Sequence, residues 1–113
     1  MSRSDMVYLQ DILESVEIIP NYTENKTEFE FVNDLMLQDA VTRRFEIIGE
    51  ASSKISEEIK SKSSEVHWRL MKEMRNKLIH EYFGVSALTI FSTIKMDLPI
   101  LKEQIEILVT SKL

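Results

Sequence analysis

Arg75 and His80 place two residue types that can cleave a phosphodiester within one short stretch, Arg75-Asn76-Lys77-Leu78-Ile79-His80-Glu81-Tyr82. An imidazole titrates near neutral pH, so His80 can give or take a proton there. A guanidinium keeps its charge and can hold a phosphate through two parallel N–H donors, a role open to Arg75. At this spacing alone, the alternative is a salt bridge for Arg75 and a helix cap for His80.

The order Arg-x4-His-x-Tyr, with Asn76 directly after Arg75, resembles the signature of the HEPN family (higher eukaryotes and prokaryotes nucleotide-binding domains). The resemblance extends over about residues 5–110 and is to the HepT-like toxin branch of that family. The segments that carry it are Asp39-Ala40-Val41, residues 45–51, Trp68-Arg69, residues 74–84, Asp97-Leu98-Pro99 and Leu101-Lys102. One departure is the stretch before Trp68, residues 63–67, where similar proteins often carry proline.

The resemblance implies a metal-independent endoribonuclease that is the toxin of a toxin–antitoxin pair. An RNA 2′-hydroxyl would attack its own adjacent phosphate, with His80 as general acid or base and Arg75 stabilising the charged transition state. Asn76 would orient the scissile phosphate or His80, and Lys72 and Lys77 are the expected RNA-binding residues. The products would be a 2′,3′-cyclic phosphate and a 5′-hydroxyl, and DNA would survive because it lacks the 2′-hydroxyl.

The resemblance also implies a protein partner. HepT-like toxins are neutralised by a minimal nucleotidyltransferase antitoxin, which adds AMP to a tyrosine. The matching residue here is Tyr82, two positions beyond His80. Each AMP would bring a negative phosphate beside Arg75 and fill the cleft in which RNA is expected to bind. The alternative is that Tyr82 only packs at the edge of a subunit interface.

Two other functions stay open. The chain could be a non-catalytic nucleotide- or partner-binding helical module of a nucleotidyltransferase complex, in which Arg75 and His80 grip a ligand without chemistry. It could also be a purely structural helical dimer. The intact set of Arg75, Asn76 and His80 favours the nuclease, because a binding-only relative would be freer to lose one of them.

Length and composition fit one domain, residues 1–113. There is no cysteine, and the two histidines, His67 and His80, match no common metal-binding spacing, so neither a metal nor another cofactor is expected. No apolar run approaches the ~18 residues that span a bilayer. The N-terminus is polar and lacks the apolar run of a signal peptide, so the cytoplasm is the expected location.

The net charge of −5 argues against indiscriminate binding of nucleic acid, but the charge is unevenly distributed. Between Arg43 and Lys77, nine basic and six acidic residues give +3, which leaves −8 for the rest of the chain. A positive surface around the motif is one interpretation. A solvated helix face of mixed charge is the other.

Apolar periodicity predicts an all-α up-and-down bundle of four to five helices with a kinked last helix. The first helix is expected at about residues 4–19, with Ser2 or Ser4 as its cap in a capping box with Asp5. Pro20 and Asn21 are expected to stop it.

A second capping box, Thr27 with Glu30, precedes a long helical region that runs to about residue 60 and can break near Asp34. Gly49 lies inside this region, where glycine costs about 1 kcal/mol against alanine. Its presence indicates either the close approach of another backbone or chance.

The third helix is expected from near Ser64 into the motif, with two apolar faces. The core face comprises Leu70, Met71, Met74 and Leu78, and the adjacent face comprises Trp68, Arg75, Ile79 and Tyr82. Because a small helix rarely needs two apolar faces for one core, the second face predicts a homodimer whose two motifs share one cleft. The alternative is that Trp68 and Tyr82 only cover the edge of the bundle.

Arg75 and His80 are about 140° apart on an ideal helix, so they converge only if the helix ends or bends near His80, or across a two-fold axis. Gly84 fits the position after a helix end, and Ser86 fits the next cap. The fourth helix is expected over about residues 87–109, with a kink at Pro99.

Overall fold

The structure is a computed structural model that describes the backbone of residues 1–80 and 86–111, and the side chains of residues 1–76 and 86–111. Within these ranges the chain forms seven α-helices and no strand, so the predicted all-α fold is confirmed. The helices are α1 (Arg3–Thr23), α2 (Glu28–Val32), α3 (Leu35–Ser53), α4 (Glu57–Lys62), α5 (Trp68–His80), α6 (Ala87–Met96) and α7 (Leu98–Ser111).

Helix α1 begins at the predicted cap, Ser2, whose hydroxyl accepts a hydrogen bond from Asp5 N at 3.0 Å. The predicted stop at Pro20 is wrong, because α1 continues to Thr23. Pro20 is exposed, whereas Ile19 and Thr23 are fully buried and Thr23 Oγ1 donates to Ile19 O at 3.0 Å. Burial of this last turn therefore outweighs the cost of one missing backbone N–H.

The long second helix predicted from the sequence is three helices. Its capping box is confirmed at the start of α2, where Thr27 N donates to Glu30 Oε1 at 3.0 Å and Glu30 N donates to Thr27 Oγ1 at 3.1 Å. The break at Asp34 is also confirmed, and Asp34 caps α3 by accepting from Leu37 N at 3.0 Å. A further break was not predicted; it follows α3, and Ser56 caps α4 there.

Helix α5 begins at Trp68, four residues later than predicted. The Trp68 side chain is only 8% exposed, and its Nε1 donates to Ser63 O at 3.1 Å. Trp68 therefore belongs to the core, and its assignment to a second, outward face is wrong. Leu70, predicted for the core face, is instead 56% exposed, whereas Met71 is buried and Met74 is half-buried.

The predicted last helix is divided into α6 and α7 at Asp97. Ser86 caps α6 as predicted, accepting from Thr89 N at 3.1 Å. Pro99 is the second residue of α7, a position whose backbone N–H has no partner within the helix. Its ring therefore costs no intrahelical hydrogen bond, and the predicted kink takes the form of a break two residues before Pro99.

Helix α3 is the centre of the packing, since it contacts α1 on one side and α5 on the other, while α1 also packs against α7. The fully buried apolar side chains of these helices include Leu9, Ile12, Val16, Val41 and Ile105. Phe31 of α2 is also fully buried, with its ring centroid 5.4 Å from that of Phe91 in α6. The helix that carries Arg75 is thus fixed by its contact with α3.

Candidate functional site

Gly49 allows α5 to approach α3 at the position of Arg75. A Cβ at Gly49 would overlap Arg75 Cβ and lie 2.8 Å from both Arg75 Cγ and the backbone oxygen of Met71. Neither the Arg75 Cβ nor that oxygen can move without moving α5. The glycine is therefore explained by close approach of another helix, and it brings the base of the Arg75 side chain onto the surface of α3.

Glu50, the next residue of α3, holds the other end of that side chain. Arg75 Nη1 donates to Glu50 Oε2 at 3.0 Å, and Lys54 Nζ lies 3.8 Å from Glu50 Oε1. Each carboxylate oxygen therefore faces one cation, and the three side chains carry a net charge of +1. Sequence analysis missed Glu50, because nothing in local spacing joins residues 25 positions apart. The helical glycine beside it was the available signal.

The guanidinium of Arg75 is only partly available to a ligand. Its side chain is 22% exposed, and its Nε is buried without a hydrogen-bond partner among the described residues. A ligand therefore reaches the group through the Nη nitrogens. The salt bridge weighed as an alternative for Arg75 does exist, but a guanidinium has five N–H donors and Glu50 accepts from one nitrogen.

The other predicted site residues lie around Arg75 to different extents. Asn76 is half-buried and follows Arg75 on α5. Lys72, one turn earlier, is exposed and has no ion-pair partner in the described part of the chain. The side chains of Lys77, Leu78, Ile79 and His80, and the whole of Tyr82 and Gly84, lie outside the described residues.

The backbone of α5 shows how positions 75 and 80 of the motif are arranged around the helix. Helix α5 runs without interruption through position 80, so it neither ends nor breaks between Arg75 and His80. Five residues of regular helix turn these two positions about 140° apart. Within one chain, backbone positions 75 and 80 therefore lie on different sides of α5. The possible helix end at Gly84 lies outside the described residues.

Most of the basic side chains in the segment between Arg43 and Lys77 are paired. The pairs are Arg43–Glu46, Lys54–Glu50, Lys62–Glu58, Arg69–Glu73 and Arg75–Glu50. All but the last join residues three or four apart on one helix. This favours a solvated face of mixed charge for most of the segment. Within the described residues Arg44, Lys60 and Lys72 make no ion pair, and Lys72 is the one that shares α5 with Arg75.

An apolar cavity lies on another side of α5. It has a volume of about 370 Å³ and is lined by Phe45 and Ile48 of α3, by Leu70 and Met74 of α5, by Thr93 of α6, and by Ile100 of α7, among others. Leu70 and Ile100 at this cavity are more than half exposed. Among the described side chains of α5, the exposed large apolar one is therefore Leu70, at this cavity.

The described parts of the chain hold neither a cluster of metal ligands nor a membrane-spanning helix. Among the described side chains, those of residues 1–76 and 86–111, no three acidic or histidine groups come together as metal ligands. No helix in those ranges has both the length and the apolar run needed to cross a bilayer.

The fold and the site define an all-α protein that holds an arginine between two packed helices. A family model described as "Ribonuclease HepT-like" matches residues 12–108. The chain therefore belongs to the HepT-like ribonuclease family, which confirms the resemblance found in the sequence. No solved structure matches the chain.

Individual relatives agree with this assignment. The chain is 44% identical over 106 residues to a Thermococcus cleftensis protein named "Probable ribonuclease HepT", covering 94% of this chain and 96% of that protein. It is 40% identical over 108 residues to a Methanocaldococcus jannaschii protein named "Putative RNase", covering 95% and 99%. Another M. jannaschii protein, named "Gamma-glutamylcyclotransferase and putative RNase", is 45% identical over 105 residues, which is 93% of this chain. The chain spans about half of that last protein, or 47% of its length.

Proposed function

We propose that this chain is a metal-independent endoribonuclease, formed by one helical domain of residues 1–113, and the toxin of a cytoplasmic toxin–antitoxin pair. The observation that supports this most is the Arg75 guanidinium, placed on α3 by Gly49 and held by Glu50 with Nη donors still available. A cation anchored in this way suits the charge that develops on a phosphate in the transition state. Membership of the HepT-like ribonuclease family supports the same function.

In this mechanism the RNA supplies its own nucleophile. The 2′-hydroxyl attacks the adjacent phosphorus and the 5′-oxygen leaves, giving a 2′,3′-cyclic phosphate and a 5′-hydroxyl. His80 moves the proton, as base for the attacking hydroxyl or as acid for the leaving oxygen. Arg75 stabilises the phosphorane-like charge, Asn76 orients the phosphate or His80, and Lys72 and Lys77 bind flanking phosphates.

The active form is a homodimer in this proposal. Because α5 continues through position 80, the backbone positions 75 and 80 of one chain lie about 140° apart around the helix. A two-fold axis at α5 would bring Arg75 of one protomer to His80 of the other, so that two motifs share one cleft. The apolar surface of α5 and α7 at Leu70 and Ile100 supplies area for such a contact.

The proposed partner is a minimal nucleotidyltransferase that neutralises the toxin. It would transfer AMP from ATP to the phenol oxygen of Tyr82, releasing pyrophosphate. The added phosphate carries negative charge and bulk to the end of the motif, so RNA would be excluded from Arg75.

The experiment that tests the nuclease is cleavage of a labelled RNA by wild type, Arg75→Ala and His80→Ala in the presence of EDTA. The chain offers matched controls, since Arg69→Ala and His67→Ala remove the same residue types from exposed positions nearby. Wild type and both controls should cleave RNA but not DNA, and the two motif variants should be inactive while remaining folded. Full activity in either motif variant would overturn the assignment. Tight RNA or nucleotide binding without cleavage by wild type would favour the alternative, a non-catalytic binding module.

A further inference from the structure

The ion pair of Glu50 and Arg75 differs from the others in the described part of the chain. Those others join neighbours on one helix, whereas Glu50 Oε2 and Arg75 Nη1 join α3 to α5 at 3.0 Å. The Glu50 side chain is 51% exposed, and an ion pair this exposed contributes little to stability. The ion pair therefore affects the orientation of the guanidinium more than the free energy of unfolding.

Three contacts fix where the guanidinium can lie. The Cβ and Cγ of Arg75 pack against Gly49, its Nε is buried, and its Nη1 donates to Glu50. An arginine with only its base fixed would sample several rotamers, and ordering it when RNA binds would oppose the reaction. Glu50 fixes the far end before RNA arrives.

A carboxylate beside a phosphate site would ordinarily repel the substrate. Here Lys54 lies 3.8 Å from the second oxygen of Glu50, while Arg75 occupies the first. The cluster of Glu50, Lys54 and Arg75 has a net charge of +1, so its attraction for a phosphate survives the presence of the acid.

We propose that Glu50 is a positioning residue for Arg75, which it holds in the orientation that receives the scissile phosphate of RNA. This inference rests on the proposed ribonuclease function. Glu50 itself touches neither the reacting atoms nor the RNA, and it acts through the hydrogen bond to Nη1. The opposite role, a carboxylate that competes with the phosphate for Arg75, predicts the opposite change of rate when Glu50 is removed.

The test compares Glu50→Ala, Glu50→Gln and Glu46→Ala with wild type in steady-state RNA cleavage. Glu46 is the matched control, since it lies one turn earlier on α3 and pairs with Arg43 instead of Arg75. We expect Glu50→Ala to lower kcat by about 10- to 100-fold, as for other small misplacements of catalytic groups, with KM changed by less than about 2-fold. Glu50→Gln keeps an oxygen that accepts from Nη1 and should recover part of kcat, and Glu46→Ala should match wild type.

A second measurement does not depend on cleavage. In NMR spectra of the guanidinium groups, the Nη signals of Arg75 should be resolved in wild type and in Glu46→Ala, because the Nη1 hydrogen bond slows rotation of the group. They should be averaged in Glu50→Ala. Unchanged Arg75 signals in Glu50→Ala would overturn the proposal, whatever the protein does to RNA.

The kinetic outcomes separate this inference from the function on which it rests. If Arg75→Ala is inactive while Glu50→Ala cleaves at or above the wild-type rate, the positioning role is wrong and the nuclease stands. Equal losses in Glu50→Gln and Glu50→Ala would also refute positioning by the hydrogen bond. If wild type does not cleave RNA, the proposed function has failed, and the NMR comparison alone decides whether Glu50 orders Arg75.

Discussion

The carboxylate of Asp5 accepts two hydrogen bonds from Ser56, one from its backbone N at 2.8 Å and one from its hydroxyl at 2.7 Å. Asp5 lies in the first turn of α1 and is 4% exposed, while Ser56 caps α4. The contact stabilises the chain at the break that follows α3, because it joins the start of α4 to α1, which packs against α3. Burial raises the pKa of Asp5, but the two bonds from Ser56, together with the Ser2 hydroxyl and the N-terminal charge, outweigh it, and the pKa lies below its ordinary value.

Removal of this carboxylate should lower stability in a pH-dependent way. We expect Asp5→Ala to lose about 1–3 kcal/mol of unfolding free energy near neutral pH, through two lost hydrogen bonds. A lowered folded-state pKa means that the contribution of Asp5 is present above the ordinary carboxyl pKa of 3.8 and is lost as pH falls through the folded value. Denaturant unfolding of both proteins from neutral to acidic pH checks this, and their difference should shrink below about pH 4.

The control for this prediction is Glu14→Ala, which removes an exposed carboxylate from the same helix. It should change the unfolding free energy by less than about 0.5 kcal/mol. A constant difference between wild type and Asp5→Ala down to the lowest pH at which both fold would contradict the role given to the ionised carboxylate.

Gly49→Ala should destabilise the protein, although alanine normally improves a helix by about 1 kcal/mol over glycine. The new Cβ would overlap Arg75 Cβ and press on the backbone oxygen of Met71, so α5 must move away from α3. Overpacking of this kind costs about 1–3 kcal/mol. Thermal unfolding checks the sign, with Arg43→Ala as an exposed control on α3. A higher melting temperature for Gly49→Ala would disprove the close approach.

The helix caps were predictable from sequence because each acts within three residues. Ser2, Thr27 with Glu30, and Ser86 form the predicted capping hydrogen bonds. Asp34, where a break was predicted, also caps a helix. The predictions of helix ends fail where burial against residues distant in sequence determines whether the helix continues. Proline stops an isolated helix, but the buried turn after Pro20 keeps α1 helical.

The candidate site was predictable only in part, for the same reason. Arg75 and Asn76 stood out through their order in a known motif, and that order says nothing of what they contact. The assignment of Trp68 to an outward face followed only from its angular position around α5, whereas in the structure the Trp68 side chain is buried. The pairing of Glu50 with Arg75 depends on the packing of α3 against α5, which no local pattern encodes.

Tyr82 should be the only tyrosine that accepts AMP. Incubation of the protein with a nucleotidyltransferase partner, ATP and magnesium, followed by mass spectrometry, should add the mass of AMP to wild type but not to Tyr82→Phe. Tyr8→Phe and Tyr22→Phe are matched controls that should still be modified, since the chain has three tyrosines. Tyr82→Phe should keep its ribonuclease activity and escape neutralisation. Equal modification of wild type and Tyr82→Phe would rule out this acceptor.

A cleft shared by two protomers predicts that defective chains can complement each other. Light scattering should first give twice the monomer mass of 13.2 kDa; a monomer at micromolar concentration would rule out the dimer. Arg75→Ala and His80→Ala chains carrying different affinity tags can then be co-expressed, and the heterodimer purified on both tags in succession. If Arg75 of one protomer works with His80 of the other, one of the two Arg75–His80 pairs in the shared cleft stays intact, and we expect about half of the wild-type rate.

A second heterodimer distinguishes a shared cleft from two protomers that each work alone. A heterodimer of wild type with the double variant Arg75→Ala/His80→Ala carries the same two substitutions, but both lie on one chain. In a shared cleft each site then lacks one residue, so this heterodimer should be inactive. If each protomer instead worked alone, the two results would exchange, with activity in the wild-type pairing and none in the complementing pair. Because α5 continues through position 80 and turns the two positions about 140° apart, we expect the first pattern.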